Sequence, residues 1–457
     1  MRSSSSIDLT QGPVAAKLLR FTIPIFISTL IQQLYGVVDR AVVGQFAENG
    51  TQALAAVGST APATELLLGV FSGMALGANI TCANMRGARD EQGIRDCMHT
   101  AMLLAVLSGM LLFAVGGLFA RPILEAFDTP EVCMEQAVLY VRIYFIGTPG
   151  SLIYNFGGNL LRANGDTKRP MYILMITGLV NVGLNLLFVI VFKMSVAGVA
   201  FATIISQYLS AAAVVYILFS PKGEYKMQLR KLRIHKAHLL TILRTGIPGG
   251  LNGMVFSLSN SVVLSAINSF NSAVVSAAKT AARDLSSIVN VVIASFYTGC
   301  VSFAGQCFGA KKYRRIDRLA ASALGMGSIA VLAVAGLCTV FRYPLIGMFN
   351  SDPDVIQTAI PLLMIQAWFY IIYLFSQIAL GCLRGMKWSV LPTTVNLVSI
   401  CVPRIIWCMW IFPLHRTLTF LYICYPISWV ISASLQWGGY FYARKKLSNQ
   451  IQSETLQ

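Results

Sequence analysis

Runs of about twenty apolar residues, separated by short charged stretches, recur along the whole chain and limit what it can fold into. Leu103–Phe119, Met171–Phe192, Leu319–Phe341 and Leu391–Phe412 are four of them. A helix rises about 1.5 Å per residue, so such runs reach across a hydrocarbon core of about 30 Å. Within that core the backbone must satisfy its own hydrogen bonds, which leaves helices or a closed barrel. The alternating segments of about ten residues that a barrel needs are absent. Only 12% of the 457 residues are charged, about half the share usual in a soluble domain. The sequence predicts an all-α polytopic membrane protein of about twelve spans. They are placed at 17–44, 53–81, 98–119, 133–156, 171–192, 196–219, 239–266, 273–304, 319–341, 355–380, 391–412 and 417–442.

The two halves read as copies. Gly87-Ala88 recurs as Gly309-Ala310, Pro122 and Phe127 as Pro344 and Phe349, Leu161-Arg162 as Leu383-Arg384, Pro170 as Pro392 and Ser206 as Ser428, every pair 222 residues apart. Ile23-Pro24 recurs as Ile247-Pro248 at a slightly longer offset. Six spans per copy is an even number, so both copies enter the membrane from one side. The expected architecture is two six-helix bundles related by a parallel repeat. It gives an N-lobe at 1–220, a linker at 221–238 and a C-lobe at 239–457.

The net charge of +17 would suggest nucleic acid in a soluble protein, but its distribution argues otherwise. With the N-terminus in the cytoplasm, most of the 35 Lys and Arg fall in cytoplasmic segments, including Lys222, Lys226, Arg230, Lys231, Arg233 and Lys236 of the linker. The opposite side keeps Arg121, Lys193, Arg342 and Arg416. This asymmetry predicts a multi-pass plasma (inner) membrane protein with both termini cytoplasmic, its basic loops beside anionic lipid. The polar, Ser-rich Met1–Pro13 has no signal-peptide pattern. The ten cysteines form no CxxC pair and read as small buried side chains. His99, His235, His238 and His415 lie in or near loops without metal spacing. No GxxxxGK[ST] motif supports ATP drive. No cofactor and no nucleic-acid partner are expected.

The stretch Leu34-Tyr35-Gly36-Val37-Val38-Asp39, with Val42-Val43-Gly44 and Ala53-Leu54-Ala55-Ala56-Val57-Gly58, resembles the first two helices of the multidrug and toxic compound extrusion (MATE) family. Asn84-Met85-Arg86-Gly87-Ala88-Arg89 is similar to the loop after that family's second helix. Leu161-Arg162-Ala163-Asn164-Gly165-Asp166-Thr167-Lys168-Arg169-Pro170 is similar to the loop before its fifth. The resemblance runs from about Leu18 to Tyr442. It implies a monomeric secondary antiporter, not an enzyme, that exports drugs, toxic compounds or metabolites by alternating access as Na⁺ or H⁺ enters. A lipid-linked-intermediate flippase of the same superfamily and a polytopic membrane enzyme remain the alternatives. The first commonly has spans beyond twelve. The second calls for His, metal ligands or paired carboxylates.

An ionisable side chain inside a span is costly and marks a functional candidate. Asp39 lies about 20 residues beyond Lys17 and Arg20, roughly 30 Å along the first helix, where the family places a cation-coupling carboxylate. Na⁺ at Asp39 is the one metal expected. A static pair with Arg40 is the bland alternative. Asn181 and Asn185, four apart, share a face of the fifth span. The family motif has an Asp where Asn185 stands, and Asn cannot titrate. Asn155 is expected to join this cluster; hydrogen-bond glue between helices is the alternative.

The C-lobe carries Asn252, Asn260, Gln366 and Gln377 where the sodium-coupled branch has acids, so no sodium site is carried over there. Lys279, Arg283 and Arg404 against Asp284 give its interior a basic character. With Gln377 and Asn260 they form the expected substrate cavity; an Arg283–Asp284 pair with the other bases snorkelling is the alternative. Glu65 and Arg142 are expected to pair. Pro24 resembles the bend-forming proline of the family's first helix. Gly69, Gly73 and Gly77 give the second span a close-packing face. Cysteines introduced at either terminus or at 221–238 are expected to resist labelling by an impermeant reagent in intact cells. Efficient labelling there would overturn the topology.

Overall fold

The structure is a computed structural model that describes residues 6–47, 50–127, 129–220, 227–349 and 352–455. Lys222 and Lys226 of the linker lie outside these residues. Among them every regular element is helical. In chain order these are α1 Val14–Phe46, α2 Gly50–Ala88, α3 Glu91–Ala126, α4 Glu131–Ile146, α5 Thr148–Ala163, α6 Lys168–Leu186, α7 Ser195–Phe219 and α8 Lys236–Asn268. There follow α9 Ala273–Gly309, α10 Tyr313–Val340, α11 Arg342–Gly347, α12 Pro353–Gly385, α13 Val390–Asn396, α14 Val402–Ile406, α15 Leu418–Tyr422 and α16 Cys424–Thr455. The expected all-α membrane fold is observed. Eleven helical stretches are long and apolar enough to span, and the bent pair α4–α5 makes a twelfth.

That pair breaks the span placed at 133–156 beside the proline it contains, Pro149. The chain bends by 48° between Ile146 and Thr148. Pro149 has no N–H for the Phe145 carbonyl, and its ring crowds that oxygen. The Thr148 hydroxyl takes over, donating to Phe145 O at 2.8 Å. Near Pro403 the helix likewise widens into π-turns at Leu397–Cys401 and Trp407–Ile411, as expected where a proline removes a rung from the ladder.

The repeat recurs in the backbone. Asp90 N donates to Met85 O (3.1 Å) and Lys312 N to Cys307 O (2.9 Å). Asp166 N donates to Leu161 O (2.9 Å) and Trp388 N to Leu383 O (3.0 Å). These six-to-one bonds close the C-termini of α2, α9, α5 and α12 around left-handed residues Arg89, Lys311, Gly165 and Lys387. Matching positions again stand 222 residues apart.

Contacts group the chain into two compact units. One comprises Met1–Asp8 and Ile27–Gly250; the other comprises Leu9–Phe26 and Leu251–Gln457. The division falls inside α1 and α8, in each case two residues beyond a proline, Pro24 or Pro248. In the first unit, α2 and the start of α8 meet through glycines. A β-carbon at Gly73 would overlap the backbone of Gly246 and Gly250, and one at Gly77 that of Ile242 and Gly246. Gly69 meets nothing within 4 Å, so the expected close-packing face extends over Gly73 and Gly77 alone. Apolar side chains left outside, such as Leu118 at 74% and Leu179 at 76% exposure, suit lipid as solvent. Buried hydroxyls bond back to the preceding turn, as Thr81 to Gly77 O (2.9 Å) and Ser206 to Ala202 O (2.9 Å).

Gly73→Ala and Gly77→Ala are expected to destabilise by about 1–3 kcal/mol through overpacking. Gly69→Ala is expected to be neutral or to stabilise by up to about 1 kcal/mol, since only helix propensity changes. Unfolding in one detergent checks the contrast; equal losses at Gly69 and Gly73 would contradict it.

Candidate functional site

Asp39 sits on α1 within the first unit, 9% exposed, facing α6 and α7. Its apolar surroundings include Val42, Val43, Val189, Val196, Val199 and Ile204. A carboxyl group in such surroundings needs donors. Asn185 Nδ2 donates to Asp39 Oδ1 at 2.6 Å, and Thr203 Oγ1 lies 3.5 Å from Oδ2. Asn185 Nδ2 also donates to Asn181 Oδ1 at 3.2 Å. Asn185 Oδ1 is buried and has no hydrogen-bond partner. Carboxylate, amide and hydroxyl oxygens thus converge beside an acceptor left unused, a donor set that suits a proton or a small hard cation. Arg40 is exposed and makes no ion pair with Asp39, because neighbouring helical positions point apart.

The structure brings Asp39, Asn181 and Asn185 together as the sequence predicts. Asn155 is placed elsewhere: its Nδ2 donates to Ser151 O (3.2 Å) on its own helix, and its carbonyl accepts from Asn159 (3.0 Å). Asn159 in turn accepts from Asn79 at 3.1 and 3.3 Å. No hydrogen bond joins Asn155 to Asp39. Glu65 and Arg142 are both exposed, and no ion pair forms between them among the described residues. Sequence reasoning missed Thr203, and also Thr177 and Ser210, which bond to each other at 2.9 Å. The spacing 177, 181, 185 on α6 and 203, 206, 210 on α7 was the available signal.

In the second unit Arg404 is 1% exposed and is held by neutral groups. It donates to Ser428 Oγ (3.1 Å), Ser259 Oγ (3.3 Å) and Asn260 Oδ1 (3.0 Å), and stacks over Tyr425 at 4.5 Å. Tyr370 and Tyr373 flank Trp429, which lies 5.9 Å from Tyr425. Arg283 pairs with Asp284 at 3.1 Å, its side chain 63% exposed. Lys279 is half-buried. Gln377 is buried, its Nε2 without a partner. The three bases are therefore not one cluster: Arg404 is enclosed, and Arg283 is neutralised. A separate polar knot missed from sequence joins Asn252, Asn396, Ser432 and Gln436 at 2.8–3.1 Å.

A polytopic helical protein with repeated halves and an isolated carboxyl group in a span has the form of a membrane transporter. The MatE family profile matches residues 24–187 and 248–410, one block in each half. The chain is 27% identical over 440 residues to the "Probable multidrug resistance protein YoeA" of Bacillus subtilis, covering 93% of each. It is 30% identical over 400 residues to the "Probable multidrug resistance protein YpnP" of the same organism, covering 87% of this chain and 88% of the other. Its fold matches a structure described as the outward-facing conformation of a multidrug resistance MATE family transporter of the MOP superfamily. The TM-score is 0.88 at 21% identity, over 98% of this chain and 99% of that one. The chain belongs to the MATE family of membrane transporters.

Asp39→Asn and Asn185→Leu, combined in a double-mutant cycle, are expected to couple by about 1–3 kcal/mol, the range for a hydrogen bond to a charged group. Thr203→Val is expected to cost less than about 1 kcal/mol, since 3.5 Å is at the limit of a hydrogen bond. Additive losses in the Asp39–Asn185 cycle, measured by unfolding in detergent, would contradict the pairing.

Proposed function

We propose that this protein is a secondary active antiporter that exports small organic compounds across the plasma membrane, exchanging them for inward Na⁺ or H⁺. It acts as a monomer with both termini in the cytoplasm. The observation that carries this reading is the buried Asp39 carboxyl group, hydrogen-bonded to Asn185 beside the unpartnered Asn185 Oδ1.

Proton or Na⁺ arrival at Asp39 removes a negative charge from apolar surroundings, where charge is costly. The neutral form releases its demand on Asn185 and Thr203. Those side chains then re-pair within α6 and α7, and this gives the two loading states different packing. A cation shifts a two-state equilibrium only by its differential affinity for the states; the change in hydrogen bonding around Asp39 supplies that difference. Pro24 and Pro248 supply points at which α1 and α8 can bend without breaking an existing rung of the ladder. Asp39→Asn keeps the volume and removes the titratable group. In proteoliposomes it is expected to abolish gradient-driven export while a monodisperse elution profile and a cooperative unfolding transition show the fold intact. Full gradient-coupled transport by the variant would sink the coupling role.

Of the three bases in the second unit, Lys279 is the one left to favour substrates carrying an acidic group. Lys279 is the member that is accessible and outside the Arg283–Asp284 pair. Lys279→Gln is expected to weaken binding of an anionic ligand several-fold more than that of a matched cationic one, as removal of a charge-assisted contact does. Equal effects on both would remove the charge preference.

A further inference from the structure

Residues 227–235 of the linker are held against the start of α3 within the first unit. Met227 is buried in the core, its N–H donating to Leu218 O at 3.1 Å. Gln228 N lies 3.4 Å from His99 Nε2, and His235 N donates to Thr100 Oγ1 at 3.1 Å. His235 Nε2 stands 3.4 Å from Asp96 Oδ1 and accepts from Arg233 Nε at 3.0 Å. Pinned at both ends, residues 228–233 and α3 line an open cavity of about 440 Å³. The transporter site described above uses none of these residues.

The wall of this cavity holds Arg95, Arg230, Lys231 and Arg233 against the single acid Asp96. Asp96 is already engaged by Gln92 Nε2 (2.9 Å). Arg95 pairs with Glu91 at 3.6 Å, where Glu91 is 82% exposed. The side chains of Arg230 and Lys231 make no hydrogen bond or ion pair among the described residues. Four basic side chains line one concavity of ligand size, and the repulsion among them is relieved by a polyanion. Guanidinium and ammonium groups at this density match phosphate oxygens.

We propose that this cavity binds a phosphate group, either of a free phosphate-bearing anion or of an anionic lipid headgroup. Arg230 and Lys231 supply the primary contacts, and Arg95 and Arg233 close the ring. Binding locks residues 227–235 against α3.

The test is amide hydrogen exchange across residues 227–235 in the full-length protein in neutral detergent. Inorganic pyrophosphate is titrated at constant ionic strength. A second arm compares nanodiscs of phosphatidylcholine with and without phosphatidylglycerol. Pyrophosphate is expected to slow exchange saturably, with affinity falling about tenfold in R230Q/K231Q, as loss of charge-assisted phosphate contacts implies, and unchanged in the control K445Q/K446Q. Protection by pyrophosphate assigns the free anion as the source; protection by phosphatidylglycerol alone assigns the lipid. No protection in either arm, or an equal loss in K445Q/K446Q, overturns the proposal. Both altered side chains are exposed and make no ion pair among the described residues, so the unfolding midpoint is expected to stay put; R95Q provides a second variant with the same expected direction.

Discussion

Hydrocarbon offers no hydrogen bonds, and the backbone of this structure is arranged around that constraint. Helices satisfy the backbone between their ends. At the ends of α2, α5, α9 and α12 a left-handed residue closes a six-to-one bond, so terminal carbonyls are met by nearby N–H groups. Where Pro149 frees a carbonyl, the Thr148 hydroxyl covers it. Buried Ser and Thr hydroxyls fold back onto their own helices, and buried amides form closed ladders such as Asn79–Asn159–Asn155.

Several buried polar atoms are left without a partner, and Asn185 Oδ1 is the one that stands beside a carboxyl group in α1. Asn185 Oδ1 has no partner although Asn185 itself is fully buried, and it stands beside the Asp39 carboxyl group that its own amide serves. Leaving a buried acceptor unmet costs about 1–3 kcal/mol. A cation or proton arriving at Asp39 changes which atoms donate and which accept, so the pocket has two ways to satisfy itself. Arg404 illustrates the opposite solution. It is equally buried, but three neutral oxygens and the face of Tyr425 surround its guanidinium.

Much of the fold was legible because lipid exposure writes it directly into composition: apolar runs gave the spans, and the constant 222-residue offset gave the repeat. The break at Gly147 goes with Pro149: the matching stretch of the second half, within α12, has Ile371 at that position and runs unbroken. In the site, Asp39, Asn181 and Asn185 were legible because a carboxyl group and two amides at four-residue spacing stand out within apolar spans. Thr203 did not stand out, since hydroxyls are common in spans and most, like Thr177, simply bond to the preceding turn. The Glu65–Arg142 pairing failed because complementary charge says nothing about which way two helices face. Lys279, Arg283 and Arg404 were grouped by charge alone, whereas burial separates them. The linker's basic residues were read as topology signals; the concavity they line appears only once the segment is folded back on α3.

The central claim is that the Asp39 carboxyl group changes its cation-loading state in the working protein. Difference infrared spectroscopy of the reconstituted protein tests it most directly, titrating first with acid in the absence of Na⁺ and then with Na⁺ at fixed pH, for wild type and Asp39→Asn. The account predicts a carboxyl band that responds to one or both titrations in wild type and is missing from the variant. Superimposable difference spectra for the two proteins would contradict it.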